Sequence, residues 1–198
     1  MAHAELPTII FIRGLSHSGS TILGQVTAEA TGAVCFGEIH NLLEKINKGA
    51  DLHHRSCSCG TSVYDCPFWS TFLTDIVKTD DLETQYLQVI KDAHHYTNGA
   101  PIIDIGKYDH FFMRLQELAA QQQIRLIPIQ IHRDVRGWTH SQIQKFRYRK
   151  TLLSAIKVML SWYRNTRKFA SSTTNEQLSV SYESIVYHPT HVRLILQE

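Results

Sequence analysis

The stretch Thr8-Ile-Ile-Phe-Ile-Arg-Gly14-Leu-Ser-His-Ser-Gly-Ser-Thr21 decides the fold. Its first half is a short apolar, β-branched run ending at a glycine, which predicts a buried strand feeding a turn. From Ser20 to Ala30 the spacing becomes helical, with Ile22, Leu23, Val26 and Ala30 on one face. A strand, a turn of small residues and a helix N-terminus in that order make a cradle for an anion. Backbone N–H groups converge there, the positive end of the helix dipole faces the ligand, and the hydroxyls of Ser18, Ser20 and Thr21 complete the set. The competing reading is a Gly/Ser turn that holds nothing.

Outward from this stretch, strands and helices alternate. Val34-Cys-Phe36 reads as a second strand, and a helix starts at Glu38. Asp51 to Pro67, rich in His, Cys, Ser and Gly, reads as a loop or small inserted lobe, spanning roughly residues 51–70 with its flank. Helices are predicted for Trp69–Val77, Leu82–Tyr96, Tyr108–Gln122, Arg136–Lys145, Thr151–Phe169 and Thr190–Gln197. Further strands are predicted at Ile102–Asp104, Arg125–His132 and Gln177–Ser181. This alternation predicts a single α/β domain over 1–198: three layers, a mostly parallel central sheet, helices on both faces. Ligands of such folds sit at the carboxyl ends of the strands.

The chain has 198 residues, 43% hydrophobic and 19% charged, which suits one core. The net charge of +2 hides an uneven distribution. Between Val135 and Asn175 there is no acidic residue, while Arg136, Lys145, Arg147, Arg149, Lys150, Lys157, Arg164, Arg167 and Lys168 all fall there. Such a segment faces phosphate or is a solvated helix face. Lys145-Phe-Arg-Tyr-Arg-Lys150 interleaves aromatics with charge, but no nucleic-acid partner is expected. No apolar run reaches the roughly 18 residues of a membrane span, so none is expected. Thr8–Ile12 is too short for a secretory segment, which makes a cytoplasmic protein with reduced cysteines the expectation.

Gly14 to Thr21 nearly fits the nucleoside-triphosphatase pattern G-x-x-x-x-G-K-[ST], but Ser20 stands where the lysine should reach the β- and γ-phosphates. The one arguable magnesium ligand after an apolar run is Asp104. An enzyme cleaving ATP or GTP is disfavoured, and a metal-free anion site is preferred. Gly14-Leu-Ser-His-Ser-Gly-Ser-Thr-Ile-Leu23 resembles the 5′-phosphosulfate loop of PAPS-dependent sulfotransferases of the bacterial and Golgi-type branches. Ile129-Gln-Ile-His-Arg-Asp-Val-Arg136 is similar to the family's strand ending in Arg-Asp-x-Arg. Ser141 falls eight residues after Arg133, the family's spacing for the pair that holds the 3′-phosphate. Ile102-Ile-Asp-Ile-Gly-Lys107, Cys57-Ser-Cys-Gly60 with Asp65-Cys-Pro-Phe-Trp69, and Val180-Ser-Tyr-Glu183 with His188-Pro189 also look like family segments. The likeness covers roughly the whole chain.

This resemblance implies a P-loop-like 5′-phosphosulfate loop after the first strand, PAPS as donor and PAP as product, with no metal. Ser16, His17, Ser18, Gly19, Ser20 and Thr21 would hold the donor with Arg133, whose planar fork suits a phosphate, and Ser141. The acceptor would be an unidentified hydroxyl or amine. Glu38 is the implied general base, useful if burial raises its pKa towards neutrality; otherwise it is a carboxylate favoured by a helix N-terminus. Lys107 would stabilise charge on the transferring group. His17 stands where the family usually has Arg or Lys, and contributes charge only when protonated. Alternatives are a catalytically weakened nucleotide-binding module of the same fold, and a P-loop kinase-like enzyme.

Cys57, Cys59 and Cys66, with His53 and His54 nearby, lack the paired C-x2-C units of common zinc modules. Reduced structural thiols or a local disulfide are expected, and no metal. Phe68, Trp69 and Phe72 read as core, or as the wall of an acceptor pocket. Leu152, Ile156, Met159 and Tyr163, flanked by Leu153 and Leu160, form a stripe that predicts a packing face. Family members usually continue well beyond the Tyr-Glu segment, so a compact or truncated member is expected from Glu198 as the last residue.

Overall fold

The computed structural model describes residues 6–57, 59–75, 81–107, 109–145, 151–171 and 177–197. Its centre is β1 (Thr8–Arg13), with β3 (Ile102–Gly106) on one side and β4 (Arg125–His132) on the other. The order is completed by β2 (Val34–Gly37) outside β3 and β5 (Leu178–Ser181) outside β4, and every pairing is parallel. Successive side chains of a strand point to opposite faces, and β1 sorts the two cores accordingly.

Ile9 and Phe11 join one cluster, with Leu43 of α2 (Ile39–Asn47), Trp69 of α3 (Pro67–Asp75), Tyr86 of α4 (Leu82–Tyr96) and Phe112 of α5 (Asp109–Ala120). Ile10 and Ile12 join the other, with Leu23 of α1 (Ser20–Thr31), Ile185 of α8 (Tyr182–Tyr187) and Val192 of α9 (Pro189–Gln197). These are the helix, sheet and helix layers read from the alternation. The short α8 was not foreseen; it turns tightly from β5 with the Ser181 hydroxyl accepting from the Ser184 N–H. Val77 and Tyr108, expected in helices, and 146–150 of the aromatic and basic run lie outside the described residues.

α6 (Val135–Lys145) and α7 (Leu152–Ser171) overturn one expectation. The stripe Leu152, Ile156, Met159 and Tyr163 faces solvent, as do Leu153 and Leu160, with Leu152 77% exposed. α7 instead buries Val158 and Phe169, a neighbouring stripe a fraction of a turn away. Its anchor is aromatic: the Phe169 ring lies 4.9 Å from the guanidinium carbon of Arg13, which Phe112 flanks at 4.2 Å. Apolar periodicity locates a stripe, but the anchor decides which side of the helix turns inward. No helix among the described residues is long and apolar enough to cross a membrane.

Candidate functional site

The sheet order reverses direction at β1, so the loops after β1, β3 and β4 open onto a common crevice. The loop after β1 turns sharply, with the Ser18 N–H donating to the Leu15 carbonyl at 3.1 Å. His17 (φ 68°) and Gly19 (φ 95°) are both left-handed there. Gly19 has a second reason to lack a side chain, since a Cβ would stand 2.3 Å from the Tyr182 ring. That ring closes one side of the turn as β5 passes into α8.

Helix α6 clamps the loop from the other side. Trp138 Nε1 donates to the Ser16 carbonyl at 2.7 Å, and Gln142 Nε2 to the same oxygen at 3.3 Å. Arg133, just past β4, donates from Nη1 to the His17 carbonyl at 3.0 Å and lies over the Tyr182 ring at 4.2 Å. Its Nε is buried and has no hydrogen-bond partner among the described residues.

A cleft of about 550 Å³ results. Ser16, His17, Gly19, Ser20, Thr21, Glu38, Lys107, Arg133 and Ser141 all line it, so residues expected from four separate segments meet in one place. Ser18 is the exception. It is 1% exposed and lines a small cavity under the loop, beside Gly14 and Trp162. The turn that brings Ser20 and Thr21 to the cleft wall points Ser18 inward. Ile22, Lys145 and Tyr182 also line the cleft and were not singled out as site residues. The signal for Lys145 was its place in the acid-free segment.

At the far end stands Glu38, the N-cap residue of α2. Its carboxylate does not cap the helix; it accepts hydrogen bonds from Lys107 Nζ and from Asn41 Nδ2. The capping is done by Asp104, whose Oδ1 accepts from the Ile39 N–H at 3.0 Å and whose Oδ2 accepts from the Tyr86 hydroxyl at 2.9 Å. Asp104 is 1% exposed with both oxygens engaged, so it is a positioning group inside the core and no magnesium ligand at the cleft. Burial, only partly offset by these hydrogen bonds, pushes its pKa up to about 7.

Glu38 goes the other way. Burial raises its pKa, but hydrogen bonds from Lys107 and Asn41 and the charges of Lys107 and Arg55 outweigh burial, leaving it below the ordinary value. The condition of a carboxyl raised towards neutrality is therefore not met. His17 is also lowered, by burial first and then by Lys145, Lys107 and Arg133, so its ring is neutral at pH 7. Phe68, Trp69 and Phe72 are buried as core. Phe68 and Phe72 also line a cavity between α3 and α4 that shares no residue with the cleft.

No protein-family model matches the chain, and no curated protein sequence matches it. Solved structures do. The sulfotransferase domain from the curacin biosynthetic pathway is similar over 98% of this chain and 73% of its own, at TM-score 0.59 and 20% identity. The sulfotransferase domain of the Synechococcus olefin synthase is similar over 97% and 72%, at TM-score 0.55 and 18% identity. Shikimate kinase from Bacteroides thetaiotaomicron is similar over 96% of both chains, at TM-score 0.50 and 12% identity. The chain thus has the parallel α/β fold on which both sulfotransferases and small kinases are built.

Proposed function

We propose that the chain is a sulfotransferase that moves a sulfuryl group from PAPS to a hydroxyl or amine acceptor. The observation that carries this reading is the make-up of the cleft. Lys107, Arg133 and Lys145 line it with a single carboxylate, Glu38, and Ser20 stands in the P-loop lysine position. With Asp104 withdrawn into the core and Glu38 tied to Lys107, the lining carries no free carboxylate for the magnesium of a nucleoside triphosphate. That favours a donor bound without metal over the kinase chemistry of the same fold.

The residues fit PAPS. The loop from Ser16 to Thr21 offers backbone N–H groups and the hydroxyls of Ser16, Ser20 and Thr21 to a 5′-phosphosulfate, and the unpartnered Arg133 Nε with the Ser141 hydroxyl suits a 3′-phosphate. When bound, the donor supplies a sulfuryl group on a phosphate leaving group. Glu38, ionised at neutral pH, accepts the acceptor's proton on a carboxylate oxygen. Lys107 holds that carboxylate in place, and an incoming sulfate oxygen competes for the same ammonium. As Lys107 is drawn towards the sulfate, Glu38 becomes a stronger base. His17, neutral, shapes the loop through its left-handed backbone and carbonyl.

A thermal-shift titration tests this reading. 3′,5′-Adenosine bisphosphate at 100 times its dissociation constant is expected to stabilise the fold by about 2.7 kcal/mol, and magnesium-ATP far less. Equal or absent stabilisation by the bisphosphate removes the donor assignment. The lowered pKa of Glu38 and the neutral His17 favour a second reading, a binding module with weak turnover. Bisphosphate binding without sulfate transfer across a panel of acceptors is its signature.

A further inference from the structure

Between α2 and α3, the described residues of 48–66 form no helix and only an isolated bridge between Ser56 and Ser62. Irregular connections of this length are uncommon inside a compact domain unless something ties them down. Leu52 and Val63 are buried anchors. The third fixed point is a group of thiols.

The chain folds back at 57–61, with the Cys57 N–H donating to the Thr61 carbonyl at 2.7 Å and the Gly60 N–H donating to the Cys57 carbonyl at 3.0 Å. Gly60 at φ 94° allows the reversal. A second turn, with the Ser62 hydroxyl donating to Asp65 Oδ2 at 2.6 Å, returns Cys66 to the same spot at the start of α3. The three sulfurs lie within 4.8 Å of one another, and those of Cys57 and Cys66 are 3.5 Å apart. Tetrahedral zinc with Zn–S bonds of about 2.3 Å sets sulfurs about 3.8 Å apart. Donors already face the sulfurs: the Cys59 N–H is bonded to the Cys57 thiol, the Thr61 N–H to that of Cys59, and the Thr61 hydroxyl lies 3.1 Å from the latter. Such second-layer donors support thiolates bound to metal. Cys59 is exposed and gives the ion a way in, while Cys66 is buried behind it.

We infer that Cys57, Cys59 and Cys66 form a three-thiolate zinc site that staples the 48–66 segment to α3. Each thiol releases its proton to solvent as its sulfur–zinc bond forms, and water takes the fourth position. The soft donor set selects zinc over magnesium or calcium. The staple reaches towards the cleft. Phe68, two residues past Cys66, packs its ring 4.8 Å from that of Phe36, and Arg55 in the same segment acts on Glu38 by charge.

The test uses the full chain, stripped with chelator under reducing conditions, titrated with Zn²⁺ and desalted. One zinc per chain by elemental analysis is expected, and Co²⁺ in its place should give intense near-ultraviolet sulfur-to-metal absorption. Cys59→Ser, an exposed change that leaves the core intact, should lose the retained zinc, whereas Cys35→Ser, a thiol outside the group, should keep it. No retained zinc in the native chain overturns the inference. So does Cys59→Ser retaining as much as the native chain. A chain purified without reductant whose mass shows a Cys57–Cys66 disulfide, and which takes up no zinc after reduction, also overturns it.

Discussion

The cleft has two ends, and they handle charge in opposite ways. At one end Arg133 and Lys145 flank the loop beside Ser141, and the single lining carboxylate, Glu38, stands across β1 from them, after β2. At the other end Glu38 and Lys107 neutralise each other in a single ion pair, each about one quarter exposed. The first end is a standing attraction for anions. The second is poised, because anything that engages Lys107 changes the basicity of Glu38. Under the proposed function, binding and transfer fall to different residues, and substitutions should separate them.

The largest effect is expected from Glu38→Gln. Removing a general base should lower the sulfate-transfer rate by roughly 10²–10⁴-fold while bisphosphate affinity, measured by calorimetry, stays within a few-fold. A parallel loss of affinity would mean that the two ends do not act separately. Next is Arg133→Ala, expected to weaken bisphosphate binding by about 2–5 kcal/mol, with Arg133→Lys intermediate because it keeps the charge and loses the fork.

Lys107→Met sharpens the contrast through pH. Glu38 is held below its ordinary pKa by Lys107 against the opposing effect of burial. In the native protein the carboxylate therefore survives to lower pH, and its pairing stabilises the fold until the pH falls through that lowered value. Partly exposed pairs of this kind contribute about 0–1 kcal/mol. Without Lys107, burial is opposed only by Asn41 and Arg55, and the acid limb of the pH–rate profile should move to higher pH. An unmoved limb would detach Glu38 from the proton transfer.

The smallest effect on transfer belongs to Asp104, which acts on stability alone. Its carboxyl titrates at about 7 in the fold against 3.8 as a free side chain. The folded chain thus binds that proton more tightly, and the resulting stability is full below about pH 4 and lost as pH rises through about 7. The slope cannot exceed about 1.4 kcal/mol per pH unit. Urea titrations at several pH values should show this slope in the native chain and its absence in Asp104→Asn.

Much of this arrangement was legible along the chain. The strand–turn–helix at Thr8–Thr21 and the spacing of Arg133 and Ser141 are local signals, and each marks the carboxyl end of a strand, the edge at which a parallel sheet such as the one pairing β1 with β4 opens its crevice. What escaped depends on long-range pairing. Glu38 meets Lys107 because β2 lies beside β3, with Gly37 opposite Asp104, and no spacing within either segment states that register. Asp104 looked like a possible ligand because its burial against Tyr86 of α4 depends on packing between distant elements. The exposed stripe of α7 and the inward Ser18 failed for a related reason: periodicity and composition do not say which way a side chain turns. The cysteine spacing matched no common zinc module, yet two successive turns bring the three sulfurs together.

The central claim, that the donor end reads a second phosphate, is tested most directly by metal-free calorimetry of 3′,5′-adenosine bisphosphate against 5′-AMP. A hydrogen bond to a charged group is worth about 1.5–3 kcal/mol. The bisphosphate should therefore bind about tenfold or more tightly than 5′-AMP in the native chain, and the preference should collapse in Arg133→Ala. Equal affinities for the two nucleotides in the native chain would contradict the account.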